Sequence, residues 1–374
     1  MTNNNLTRNE LLVYSFRKWM WHKLNKTSKS VYEIPSVTSA IVEYHNKHKY
    51  KKDGIALMYV PLHKSFWETM MLPCVIPEVI NGDLPYIMMN TKRVAKGTFS
   101  RYVLDKGGIL GIDRTSREAG IHAMQITENV LENKKALLYF AEGTRTESGL
   151  IGKFGVSGFQ AAINVSKKLP VFIIPIDVAY PYVYEVINER KKDYGFKDTF
   201  ASLKKDYGTV HISFGKPIEV ISKENLELSN LSNLSKSDLS NDESKISYKS
   251  YRDQLTQNVR DACIDLLCIL PENIHAEAIR RINPSKGDII NNLELLNSIS
   301  SVVTNLIPHQ KRFRGFNVNE GLENNNIVSS YSSNLDNLVV ANEILKNSIL
   351  PTDSNLMDKY IIYSNYIEPY LPKN

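Results

Sequence analysis

Several things are missing from these 374 residues, and each absence narrows what the chain can be. No run of about 18 or more apolar residues occurs, so a hydrophobic spanning helix is not expected. The first residues lack the basic start, apolar centre and small-residue cleavage site of a secretory signal. Cysteine is scarce. Cys74, Cys263 and Cys268 make no even disulfide set, and the Cys-x4-Cys pair lacks the short spacing and partner ligands of a zinc site, so reduced thiols and no structural metal are expected. No G-x-S-x-G occurs, the nearest stretch being Gly155-Val156-Ser157-Gly158, which argues against a serine hydrolase elbow. A P-loop is missing too: Gly152-Lys153 runs into Phe154 without the upstream glycine.

What is present is a mostly globular composition, 42% hydrophobic, with a formal charge of +6. That excess belongs to Met1 to Lys52, where Lys and Arg far outnumber Glu10, Glu33 and Glu43. No nucleic-acid motif accompanies it, so no nucleic-acid partner is expected. Asn9 to Leu24 carries aromatic and aliphatic residues at helical spacing between Arg17, Lys18 and Lys23. The pattern fits a helix lying in a membrane interface, and equally a helix packed on the protein's own core. The chain divides into a basic amphipathic helical segment (1–53), a core (54–221), a Ser/Asn/Leu-rich low-complexity linker (222–250) and a helical appendage (251–374).

Within the core, short β-rich runs alternate with helical patterns. Strands are expected at Ile55–Val60, Tyr86–Met89, Ile109–Ile112, Ala136–Phe140, Val171–Ala179 and Thr209–Phe214, and helices at Trp67–Leu72, Thr98–Leu104, Arg117–Glu132 and Gly158–Lys167. The fold class is α/β, with a mixed, largely buried sheet flanked by helices and functional residues in loops at strand ends.

Four stretches carry candidate chemistry. In Val60 to Pro73 an apolar run reaches Pro61, and His63 follows, with Ser65 and Glu68 opening a helix that should stop before Pro73. A carboxylate at Glu68 can fold back onto Nδ1 of His63 and leave Nε2 free as a base, while Ser65 and Glu68 also fit a capping box. In Gly107 to Arg117 a glycine-flanked strand leads to Arg114 and Arg117, which fit either anion binding or surface ion pairs. Tyr139 to Gly149 runs from a buried strand into Glu142, Gly143, Thr144 and Arg145: a tight turn, a hydroxyl and a planar fork suited to phosphate, or an ordinary polar turn. Pro175 interrupts the strand Val171–Ala179 and points to an edge, a bulge or a cleft wall. His211 reads as a plain strand residue.

Taken in order, these stretches resemble the glycerolipid acyltransferase superfamily of glycerol-3-phosphate, dihydroxyacetone-phosphate and lysophosphatidic acid acyltransferases. His63 and Glu68 match its His-x4-Asp motif, Gly108 and Arg114 its second, Phe140 with Glu142-Gly143-Thr144-Arg145 its third, and Pro175 its fourth. The resemblance covers residues 54 to 221. It implies transfer of an acyl group from acyl-CoA or acyl carrier protein to the hydroxyl of a phosphorylated acceptor, with no cofactor, no metal and no covalent enzyme intermediate. His63 would be the base and Glu68 its orienting acid. Arg114 and Arg145 would hold the acceptor phosphate in a pocket shaped by Glu142, Gly143 and Thr144, with Pro175 beside the acyl channel.

Two departures stand out. Glu68 is one methylene longer than the family's Asp, so its carboxylate must bend to reach the same place. Gly155-Val156-Ser157 replaces the usual Lys-x-Gly step, for which Lys153 is a substitute, with Arg117 a further candidate near the phosphate. The surroundings of His63 and Pro175 look closer to the glycerol-3-phosphate branch, whereas E-G-T-R and G-I-L-G-I-D-R look closer to the lysophosphatidic acid branch; the first is favoured. The N-terminal helical pattern and the reduced thiols together give the expectation of peripheral membrane association on the reducing side. From another class, a non-catalytic phospholipid-binding relative fits the same residues.

Overall fold

The protein is described here by a computed structural model covering residues 54–65, 67–80, 84–90, 108–112, 117–146, 148–181, 210–221, 241–282, 290–306 and 363–371. The basic segment 1–53, the helix expected at 98–104, most of the low-complexity run, much of the expected appendage beyond 306 and Arg114 lie outside these residues.

Seven strands form one sheet: β1 Ala56–Pro61, β2 Tyr86–Asn90, β3 Ile109–Ile112, β4 Leu137–Leu138, β5 Val171–Ala179, β6 His211–Phe214 and β7 Ile218–Glu219. Their order is β3-β2-β4-β1-β5-β6, with β7 also on β5. The first five are mutually parallel, and β6 and β7 run antiparallel to β5. All residues of β1 and β5 are buried, which is why both read as continuous apolar runs without alternation.

Among the described residues, helices α1 Trp67–Ile80, α2 Arg117–Glu132 and α3 Ser157–Val165 lie in crossovers between parallel strands. The step from β1 to β2 and the step from β4 to β5 run in opposite directions along the sheet. Right-handed crossovers therefore put α1 on one face and α3 on the other.

Two expectations about β1 and α1 are corrected. Pro61 is the last residue of β1, in register with Ile176, and not the residue after it. Helix α1 does not stop at Pro73 but runs on through Pro73 and Pro77 to Ile80. Each internal proline forfeits a helical hydrogen bond, yet Leu72, Val75 and Ile76 are wholly buried, and burial at about 1.5–3 kcal/mol per large apolar side chain outweighs the loss. Strand β4 is likewise shorter than expected, because Phe140 already accepts the turn hydrogen bond from Gly143.

The edge reading of Pro175 is corrected: β5 is paired on both sides, by β1 and by β6 and β7, and Pro175 itself is in register with Val60. Its carbonyl accepts from Gly215 at 2.8 Å, between β6 and β7, so its missing N–H faces the break between those two strands. A Cβ on Gly215 would lie 3.2 Å from Cβ and Cγ of Pro175, so the ring is packed on that glycine.

The C-terminal helices are α4 Asn241–Ile264, α5 Pro271–Ile282 and α6 Asn292–Leu306. Helix α4 starts inside the stretch expected as linker. Tyr248, Tyr251, Leu255, Val259 and Cys263 fall at helical spacing and join the same buried cluster as the sheet. So do residues of α5, α6 and the segment Tyr363 to Tyr370, and one core therefore runs through the sheet and the expected appendage.

Candidate active site

Parallel strands β1 and β4 deliver their C-terminal ends to one edge of the sheet, where α/β folds place their chemistry. After β1 the chain passes through Leu62 to His63, and after β4 it turns at Gly143, whose φ of 77° suits glycine. The two loops remain joined beyond the strands: Tyr139 N–H donates to Tyr59 C=O at 2.8 Å, and Thr146 N–H to His63 C=O at 3.0 Å. Arg145, one residue before Thr146, thus sits on the loop tied directly to His63.

His63 Nδ1 stands 2.9 Å from Glu68 Oε2, the imidazole being 12% exposed and the carboxylate fully buried. The extra methylene of Glu68 is accommodated by its position in the first turn of α1. From there Oε1 accepts the main-chain N–H of Ser65 at 2.9 Å and of Lys64 at 3.0 Å. The carboxylate thus holds the main chain ahead of α1 and faces the histidine at once. Hydrogen bonds to a carboxylate are worth about 1.5–3 kcal/mol each, and three donors offset its desolvation. In the tautomer with Nδ1–H facing Glu68, Nε2 carries the lone pair of the ring. The imidazole rests on Phe140, ring centroids 4.2 Å apart.

Glu142 engages the main chain with both carboxylate oxygens. Its Oε1 accepts the main-chain N–H of His63 at 2.8 Å, and its Oε2 that of Gly152 at 2.8 Å. Burial raises its pKa above the usual carboxylate value, against the pull of those two N–H groups, Lys64 and Arg260. It fixes the two loops around His63 as a positioning residue. Gly143 makes the turn, Thr144 is exposed and Arg145 is half-buried. Lys153 is exposed and directly follows the glycine pinned to Glu142. The backbone of Arg117 opens α2, while its side chain, like Arg114, is outside the described residues. Pro175, expected beside an acyl channel, is buried against Gly215 next to Leu266.

Three neighbours were not anticipated. Lys64 Nζ pairs with Asp177 Oδ1 at 2.6 Å, both side chains almost wholly buried. Asp177 also accepts the main-chain N–H of Cys268 at 3.3 Å, and the Tyr366 ring lies over the ammonium, 5.3 Å to its centroid. Such a pair adds little net stability, but losing one partner costs about 3–5 kcal/mol. Arg260 of α4 reaches the carbonyls of Gly152 and Ile151 at 3.3 and 3.4 Å. A lone Asp inside the apolar run of β5 was the signal for the first of these; nothing local marked Arg260 or Tyr366.

The three cysteines are buried free thiols. Burial pushes the Cys263 thiol up, which keeps it protonated. Among the described residues no group of three or more His, Cys, Asp or Glu could hold a metal.

The chain is similar to known proteins over part of its length. Residues 41–179 match the family model described as Acyltransferase. This segment resembles that family. The chain is 25% identical over 225 residues to a glycerol-3-phosphate acyltransferase of Shewanella woodyi, covering 54% of this chain and 25% of that protein. It is 27% identical over 198 residues to the enzyme of the same name from Xylella fastidiosa strain M23, covering 48% and 22% respectively. The match spans about a quarter of the length of these relatives. A crystal structure titled as the 1-acyl-sn-glycerophosphate (LPA) acyltransferase PlsC of Thermotoga maritima aligns with a TM-score of 0.37 and 12% identity, covering 67% of this chain and 78% of that one. His63, Glu68, Glu142, Arg145 and Pro175 all fall inside the matched residues 41–179, whereas Arg260 and Tyr366 lie beyond them.

Proposed function

We propose that the chain transfers a fatty acyl group from an acyl thioester to the hydroxyl of glycerol 3-phosphate. The observation that carries this reading is the His63–Glu68 dyad at the end of β1, tied to the Arg145 loop. Nε2 of His63 takes the proton of the acceptor hydroxyl as its oxygen attacks the thioester carbonyl. The C–O bond forms, the tetrahedral intermediate collapses with loss of the C–S bond, and the departing thiolate recovers the proton from His63. Glu68 fixes the tautomer with Nδ1–H pointing at its own carboxylate and stabilises the imidazolium formed midway.

Arg145 supplies a guanidinium for the acceptor phosphate, with Arg114, Lys153 and Arg117 as further cations. No cofactor or metal is called for beyond the two substrates. Whether the thioester is carried by CoA or by acyl carrier protein is a matter for assay with both. Residues 1–24 supply the peripheral membrane contact in this proposal, so deleting Met1 to Leu24 weakens liposome binding; unchanged partitioning removes that part.

The decisive measurement is free-thiol release by the purified chain with acyl-CoA and, in turn, glycerol 3-phosphate, dihydroxyacetone phosphate and a lysophosphatidic acid. Release dependent on glycerol 3-phosphate and lost in His63→Ala is expected. Preference for the lysophosphatidic acid would move the assignment to that acceptor. No release with any of them would leave a phospholipid-binding protein.

A further inference from the structure

We infer that Tyr366 and Asn365 are positioning residues of the active site, steadying the His63 loop and the Arg145 loop respectively from a segment far outside the matched residues 41–179. The inference rests on the acyltransferase reading for its kinetic consequences and on the geometry alone for its structural ones.

The segment they occupy is firmly based. Tyr363 C=O accepts from Asn273 Nδ2 at 3.0 Å, Ser364 Oγ accepts from Arg280 Nε at 3.0 Å and donates to Glu277, and Tyr370 Oη donates to Ile264 C=O at 2.7 Å. Two side chains reach from that base toward the catalytic loops. Asn365 Nδ2 donates to Ser148 C=O at 2.8 Å, on the loop that carries Arg145. Tyr366 covers the ammonium of Lys64, whose other end matters more: its main-chain N–H donates to both oxygens of Glu68, at 3.0 and 3.1 Å, and Glu68 holds His63. Lys64 is thus gripped at both ends, by Asp177 and Tyr366 at the tip and by Glu68 at the backbone. Taking away the aromatic cover frees the residue between His63 and Ser65, and the imidazole loses its fixed aim. Asn365 acts at a different point and should affect acceptor binding instead of proton transfer.

The test uses the full chain with Tyr366→Leu, Tyr366→Phe and Asn365→Ala, with thermal melts run alongside. Diethyl pyrocarbonate labelling of His63, followed by mass spectrometry of its peptide, needs no substrate. The rate should rise about threefold or more in Tyr366→Leu and return to the wild-type value in Tyr366→Phe, which keeps the ring. In thiol release, Tyr366→Leu should lower kcat about tenfold at unchanged acceptor KM, and Asn365→Ala should raise acceptor KM about threefold or more at nearly unchanged kcat. Wild-type labelling in Tyr366→Leu overturns the inference, as does a loss in both variants that merely follows a fall in Tm. If His63→Ala is as active as wild type, or if the wild type transfers nothing, the acyltransferase reading falls, and the labelling comparison still decides the positioning claim.

Discussion

The carboxylate of Glu142 receives the main-chain N–H of His63 on one oxygen, at 2.8 Å, and holds Gly152 with the other. Glu142→Ala would leave both N–H groups inside the protein without this acceptor, at about 1–3 kcal/mol each. Denaturant titration should therefore show a loss of about 2–5 kcal/mol, accompanied by a lower kcat. Glu142→Gln keeps one carbonyl acceptor and should fall between. An Ala variant as stable and active as wild type would show that the pin is dispensable.

Glu68→Gln is the sharper test of the dyad. The amide can still accept from Ser65 and Lys64, but its NH2 would then face Nδ1–H and force the other tautomer. Orientation and imidazolium stabilisation are lost together, so kcat should drop about 10²–10⁴-fold with little change in acceptor KM. Steady-state kinetics at saturating acyl donor reads this directly.

Acid should destabilise the fold through two buried histidines. Burial lowers the pKa of His211 and of His275 from the ordinary 6.5 to about 4. Between pH 6.5 and 4 the unfolded chain binds more protons, so stability is full above 6.5 and falls as pH drops through that window, by on the order of 3 kcal/mol per histidine. Glu142 works the other way: its raised pKa makes the folded state hold a proton that the unfolded state has released. Two large displacements outweigh one smaller one, and the net slope is a loss on acidification. Urea melts of His211→Leu across this range should show a shallower slope; an unchanged slope would mean that His211 titrates normally.

Two glycines in helices should respond oppositely to alanine. A Cβ on Gly158 would meet the Tyr139 ring at 2.5 to 2.9 Å, and that ring is held by its hydroxyl between Gly155 C=O and Gly158 N–H. Gly158→Ala should cost about 1–3 kcal/mol. On α2 nothing lies within 4 Å of a Cβ at Gly120, so Gly120→Ala should stabilise by about 0.5–1 kcal/mol. Thermal melts of both variants check the contrast.

The parts of this protein that could be read from sequence are those whose cause is local. Helix α2 spans the expected Arg117–Glu132 because Ala123, Thr127, Val130 and Leu131 trace one buried stripe. His63 and Glu68 could be paired because five positions and a helix start bring them together. Helix α1 was cut short at Pro73 since a proline's local cost is visible in the sequence and the compensating burial is not. The Lys64–Asp177 pair joins residues 113 positions apart, and Arg260 meets the loop after Glu142 from 108 positions away. No spacing rule reaches that far. Isolated charges in apolar surroundings hint that a partner exists without naming it.

Ser148 and Asn365 are 217 positions apart, so the ribosome lays down the first long before its mate. His63 and Arg145 emerge early, and their surroundings stay unfinished until Tyr366 has left the exit tunnel. A nascent or truncated product without that stretch would leave the Lys64 ammonium without the Tyr366 ring over it, giving quality-control proteases an opening that the finished molecule has closed.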